Sequence, residues 1–144
     1  MTCALLDVNV LIALLDGSHV HHGLATAWLA GHVDKGWASS PITQNGCIRI
    51  LSQSGYPNRV PAAQVAARLA EATQHPSHVF WPDSISLLDP DCLMWDRILS
   101  SRHVTDGYLL ALAVRQGGRF VTLDKGIPLG AVAGATPQHL VVLS

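Results

Sequence analysis

The chain has 144 residues, 49% of them apolar and 13% charged, and its ten acidic and nine basic side chains give a net charge of −1. That length is most simply one domain over residues 1–144, with enough apolar content for a core and too much for a disordered chain. Near-neutrality excludes a global basic field for holding nucleic acid, so any such contact must be local. Seven Arg against two Lys suit bidentate phosphate recognition where it occurs.

Residues 3–7 (CALLD) predict a short buried strand, and VNVLIALL a helix directly after it. Residues 21–33 space Leu24, Trp28 and Leu29 as a second helix, behind a cap-like histidine and serine cluster. GWASS at 36–40 predicts the second strand. PITQNGCIRILSQSG predicts a helix with Pro41 in its first turn, and PAAQVAARLAEATQ at 61–74 an alanine-rich helix starting at a proline. VFWP at 79–82 predicts a third strand, and DPDCLMWDRILS at 89–100 a further helix. In TDGYLLALAVRQGGRFVTLDKG, Thr105 is expected to cap a helix that Gly117 and Gly118 end, and RFVTL to be a buried strand. HLVVLS predicts the last strand. Strands alternating with helices give an α/β fold with a parallel sheet.

Cys3, Cys47 and Cys92 are widely spaced and lack a CxxC, which predicts small core residues of a reducing compartment. No apolar run reaches the ~20 residues of a membrane helix. The first residues carry no basic stretch, and Asp7 interrupts their apolar run, so the cytoplasm is expected. The apolar surplus predicts a protein partner or a homodimer.

Asp7 poses the chemical question, because an ionised carboxylate buried alone costs several kcal/mol or more. In parallel sheets ligands bind beyond the carboxyl ends of the strands, where Asp7 falls. The helix from Thr105 runs ~18 Å at 1.5 Å per residue. The strand from Arg119 to Asp124 returns ~17 Å at about 3.3 Å per residue. Asp106 and Asp124 should therefore reach the same edge as Asp7, and so should Gln44, in the first turn after the second strand. Three carboxylates without a dedicated basic partner predict a hard divalent cation, Mg2+ with Mn2+ as substitute, acting on water and a phosphoryl group. Singly, each aspartate has an ordinary reading as a cap or turn residue.

LLDVNVLIAL, ITQNGCIRIL, VTDGYLLALAV and RFVTLDKG together resemble the PIN domain, and within it the VapC toxins of bacterial type II toxin–antitoxin systems. The resemblance runs nearly end to end. It implies an α/β/α sandwich with a central parallel sheet, a Mg2+-dependent endoribonuclease acting on RNA, and a VapB-type antitoxin in the active-site groove. By motif, Asp7, Asp106 and Asp124 match the acidic metal cluster, Asn9 its neighbouring polar position, and Thr105 and Thr122 its supporting hydroxyls. Asp7 and Asp106 are expected to hold the ion, and Asp124 to position or deprotonate the attacking water. The family often carries a glutamate where this chain has Gln44, which brings no charge and favours one firmly held ion over two. On that reading Gln44→Glu would tighten Mg2+ binding. Asp89 and Asp91 are explained by a helix N-terminus. Arg97, Arg102 and Lys125 flank the aspartate motifs and are the candidates for RNA contact, with solvated surface charge as the ordinary alternative. Arg49 is a candidate partner for a cluster acid.

Other signals are weaker. His19, His21 and His22 lack the spacing of a zinc site, and the four tryptophans read as core or interface residues. DVNV resembles the DxDx loop of haloacid-dehalogenase-type phosphatases, but Asn9 stands where their second aspartate would be. A phosphatase of similar architecture is thus one alternative function. A catalytically weak PIN-like module that only binds RNA or a partner is the other.

Overall fold

The structure is a computed structural model that describes residues 2–144. Ala4–Leu6 form strand β1, entirely buried, and Asp7 turns the chain straight into helix α1, Val8–Leu15. Asp7 makes the turn itself, as an N-cap whose side chain accepts the Val8 N–H. Helix α2, His22–His32, precedes strand β2, Trp37–Ser39. Helix α3, Pro41–Ser52, begins at the proline, and Ser40 and Thr43 cap it reciprocally, each side-chain oxygen accepting the other's backbone N–H. Helix α4, Ala62–Thr73, follows Pro61, and strand β3 is His78–Phe80. Helix α5, His103–Arg115, strand β4, Arg119–Thr122, and strand β5, Leu140–Val142, complete the regular elements.

The strands form one parallel sheet in the order β3-β2-β1-β4-β5. Alternation along the strands divides the core in two. Leu6 and Val121 face one layer with Val10, Ile12, Cys47 and Leu69 of α1, α3 and α4. Leu5, Ala38 and Phe120 face the other with Leu109, Leu110 and Leu112 of α5. The result is the expected α/β/α sandwich.

Helix α5 is buried on every side from Gly107 to Ala113, so it lacks a distinct polar face. The segments flanking it supply the cover. Leu93 and Val132 pair as an antiparallel bridge over the helix, and Met94 N–H donates to the Ala131 carbonyl at 2.8 Å. This pairing overrides the helix expected over 89–100, of which only a single 3-10 turn, Trp95–Arg97, exists. Its inward residues are Cys92 and Leu93, while Leu99 is 86% exposed, a distribution that a helical stripe would not give. Strand β3 begins one residue earlier than expected and ends before Trp81, which turns in to pack against α5's layer. Among the described residues no helix is long and apolar enough to cross a membrane.

Register fixes the working edge of the sheet. Leu6 lies opposite Val121, and the Asp7 N–H donates to the Val121 carbonyl at 2.9 Å, one step beyond the end of β1. Asp7 therefore stands beside Thr122, the last residue of β4.

Gly46 lets α3 approach α1 beside that edge: a Cβ there would stand 2.7 Å from Val8 Cγ2. Glycine to alanine inside a helix ordinarily gains up to ~1 kcal/mol. Here the methyl overpacks, and Gly46→Ala is expected to lose about 1–3 kcal/mol in urea denaturation. A gain would show that Val8 is free to move aside.

Candidate active site

Asp7 is 5% exposed, and both its oxygens are engaged. Oδ1 accepts the Val8 N–H at 2.7 Å, and Oδ2 accepts the Thr122 hydroxyl, also at 2.7 Å. Burial pushes the carboxyl up from its ordinary range, the bonds from Thr122 and Val8 pull it down, and the Asp124 charge pushes it up again. The Thr122 hydroxyl is used to capacity: it donates to Asp7 and accepts from the Asp124 N–H at 3.0 Å and from Asn9 Nδ2 at 3.3 Å. Asn9 Oδ1 in turn accepts the Leu123 N–H at 3.1 Å. The start of α1 and the residues leaving β4 are thus laced together, and the Thr122 hydroxyl ties the Asp7 carboxylate to the Asp124 backbone.

Asp124 lies two residues past the end of β4, in a turn where its Oδ1 accepts the Gly126 N–H at 2.9 Å. Asp106, in the first turn of α5, meets it there. Burial, the charges of Asp7 and Asp124, and a hydrogen bond shared with Asp124 push the Asp106 carboxyl up to about 7, with the Arg102 charge pulling the other way. The three aspartates expected at one edge are therefore close enough to repel one another there. Their donor set consists of hard carboxylate oxygens, which fits Mg2+ or Mn2+ better than a softer metal. Among the described residues, no three His, Cys, Asp or Glu side chains are closed into a coordination cage. The arrangement is one of mutual repulsion with room to contract.

The other expected residues divide. Asn9 and Thr122 stand in the network. Thr105 is exposed at the third position of α5 and caps nothing; the residue before the helix is Arg102, which makes no side-chain cap either. Gln44 does sit in the first turn after β2, but its Nε2 donates to Ser39 Oγ at 3.0 Å. That turns the amide toward β3, where Ser39 also bonds His78 at 2.8 Å. Arg97 donates to the Gly130 carbonyl at 3.0 Å and ties two loops together. Lys125 is exposed beside Asp124, and Arg102 is exposed with its Nη2 near Gly126. Arg49 is exposed in the last turn of α3. Asp89 forms a turn, accepting the Asp91 N–H at 3.1 Å, in place of the helix start expected there.

Two groups near this edge escaped the sequence reading. His103, one helical turn before Asp106, has its Nε2 buried without a partner, and the i, i+3 spacing on α5 was the available signal. Asp83, just past β3, lies near Ser40 and Ile42 at the start of α3, and burial pushes its carboxyl up. Its place beyond a strand's carboxyl end was the clue.

The raised Asp106 carboxyl sets a pH dependence. Without divalent ions the folded state holds that proton to about 7, whereas the unfolded chain releases it near 3.8. Its contribution to stability is full below the lower value and is lost as pH rises through the upper one. Asp106→Asn should therefore be most stabilising above pH 7 and lose that advantage toward pH 4, read by urea denaturation across that range. A difference that does not change with pH would count against the crowding of these acids.

Comparison with known proteins follows the same lines. The PIN domain family model matches residues 4–133. The chain is 52% identical over 140 residues to Ribonuclease VapC44 of Mycobacterium tuberculosis, covering 97% of this chain and 99% of that protein. The crystal structure of Mycobacterium tuberculosis VapC20, described as a sarcin-ricin loop cleaving toxin, is similar with a TM-score of 0.58 at 12% identity, covering 81% of this chain and 85% of the other. PAE2754 from Pyrobaculum aerophilum is similar with a TM-score of 0.59 at 20% identity, covering 98% and 84%. The two structures share the fold.

Proposed function

Because the chain belongs to the PIN-domain family and, within it, to the VapC ribonucleases, we propose that it hydrolyses RNA phosphodiester bonds in a divalent-metal-dependent reaction at Asp7, Asp106 and Asp124. It is an endoribonuclease toxin of a toxin–antitoxin system. The observation that supports the site assignment is that Asp7, Asp106 and Asp124, distant in sequence, come together beyond the carboxyl end of the sheet, close enough for the charges of Asp7 and Asp124 to bear on Asp106.

Asp7 and Asp106 would hold the ion, with Asp124 beside them. Mg2+ bound there supplies neutralisation of charge on the phosphodiester and favours loss of a proton from the attacking water. The protein contributes positioning. Thr122 and the Val8 N–H fix the Asp7 carboxylate in one orientation. Asp124, anchored through its own N–H and through Gly126, would orient that water and accept its proton at the carboxylate. Gln44 adds no charge, so three carboxylates are matched to one firmly held ion. Arg102 and Lys125, exposed beside Asp106 and Asp124, are the residues closest in sequence for contact with the RNA backbone.

A VapB-type antitoxin is the protein partner, and we assign a homodimer to the chain as well. Exposed Val79 and Phe80 on edge strand β3, with Leu88, Trp95 and Leu99 in the loop over α5, support assembly with other chains.

The test is cleavage of a mixed RNA pool. Wild type with Mg2+ should cut, Asp124→Asn should fall by about 100-fold or more, the scale for losing a proton-transfer group, and Asp7→Asn should lose Mg2+-dependent cutting. Mg2+ should also raise the melting temperature of wild type and leave that of Asp7→Asn unchanged. Cutting that survives in Asp7→Asn, or in EDTA, refutes the assignment. Hydrolysis of p-nitrophenyl phosphate without RNA cleavage would point to a phosphatase instead.

A further inference from the structure

We propose that His103 is a positioning residue for the acidic cluster, its Nε2–H becoming the hydrogen-bond partner of Asp124 when that carboxylate is drawn around a divalent cation. The inference rests on the cluster reading above and assigns it an outer partner. His103 opens α5 one turn before Asp106, on the same helix face. Its Nε2 is buried and has no hydrogen-bond partner, a condition that native structures rarely leave unexplained.

Gly126 shows what the imidazole faces. A Cβ at that residue would lie 3.6 Å from His103 Nε2, 3.5 Å from Asp124 Oδ1 and 3.5 Å from Arg102 Nη2. The ring nitrogen and the carboxylate oxygen thus lie on one side of the same glycine. Asp124 Oδ1 now accepts the Gly126 N–H, and its carboxyl also bonds Asp106. A carboxylate has roughly four acceptor sites, so a further donor fits without displacing either partner. Drawing Asp106 and Asp124 together around an ion moves acceptor oxygens in the space bounded by His103. The imidazole nitrogen is a poor ligand for a hard cation, so its place is behind Asp124. Arg102 reaches the same glycine from an exposed position and is donor-only, so it also has a second option: to donate to a bare His103 Nε2.

Calorimetric Mg2+ titration and 15N NMR of histidine-labelled protein test this without an activity readout. His103 Nε2 should carry a proton in the Mg2+ form, and that proton should become protected from exchange as Mg2+ is added. His103→Leu should weaken Mg2+ binding by about 10–100-fold, the usual loss for a missing outer partner. His103→Gln, which keeps an N–H donor at comparable reach, should recover most of that affinity. Wild-type affinity in His103→Leu overturns the proposal alone, as does an unprotonated Nε2 that accepts from Arg102 in the Mg2+ form. Wild type that fails to bind Mg2+, or Asp7→Asn that binds it equally well, overturns the cluster reading and takes this proposal with it.

Discussion

The bond from the Thr122 hydroxyl to the Asp7 carboxylate joins the two central strands where the sheet ends, and the rest of the site is arranged around it. A carboxylate as buried as Asp7 carries a desolvation penalty of several kcal/mol. A charge-assisted bond returns only about 1.5–3 kcal/mol, and the Val8 N–H adds a second. The carboxyl's upward shift shows that burial outweighs both bonds. An apolar residue at this position would suit the core better. What the carboxylate provides is a fixed, partly desolvated oxygen donor at the mouth of a parallel sheet.

The same bond explains how a repulsive cluster can sit on a stable fold. Thr122, Asn9 and the backbone of Leu123 and Asp124 form a closed set of hydrogen bonds that leaves little freedom for the turn after β4. Asp106 is held from the other side by α5, whose buried stretch from Gly107 to Ala113 begins at the next residue. The acids therefore cannot relax apart without disturbing either the sheet edge or the most buried helix. Strain that solvent would dissipate at an exposed site is here stored as a raised carboxyl pKa, which a cation can relieve.

Most of this was legible in the sequence because it depends on length and polarity. The stretch of α5 after Asp106 and the segment from Arg119 to Asp124 run in opposite directions over comparable lengths, which brings Asp106 and Asp124 to the same edge as Asp7. Pro41 behind a serine marked the start of α3, and CALLD before VNVL marked a strand running directly into a helix. What failed depends on tertiary pairing. DPDCLMWDRILS has helical composition, but Leu93 and Met94 are claimed by Val132 and Ala131, forty residues later in the chain, an interaction no local pattern reveals. Thr105 looked like a cap because the helix was expected to begin there, yet α5 starts two residues earlier. His103 was missed for the same reason: it belonged to a loop until the helix was extended to include it.

The charge at this edge is set by β2 as much as by β1 and β4. Gln44 donates to Ser39, and Ser39 bonds Nε2 of His78, whose ring is also tied to the Thr73 backbone. Ser39 Oγ accepts from Gln44 Nε2 and pairs with His78 Nε2, as donor or acceptor according to the ring tautomer. Burial holds the imidazole pKa below its usual value, which disfavours the charged ring. Every link of this chain is uncharged, and each member is already bonded. A carboxylate at position 44 would lose the N–H that Ser39 accepts and set a second oxygen acceptor against Ser39 Oγ. The neutral residue at 44 is therefore built into the end of β2, and α3 adds no fourth carboxylate to the cluster of Asp7, Asp106 and Asp124.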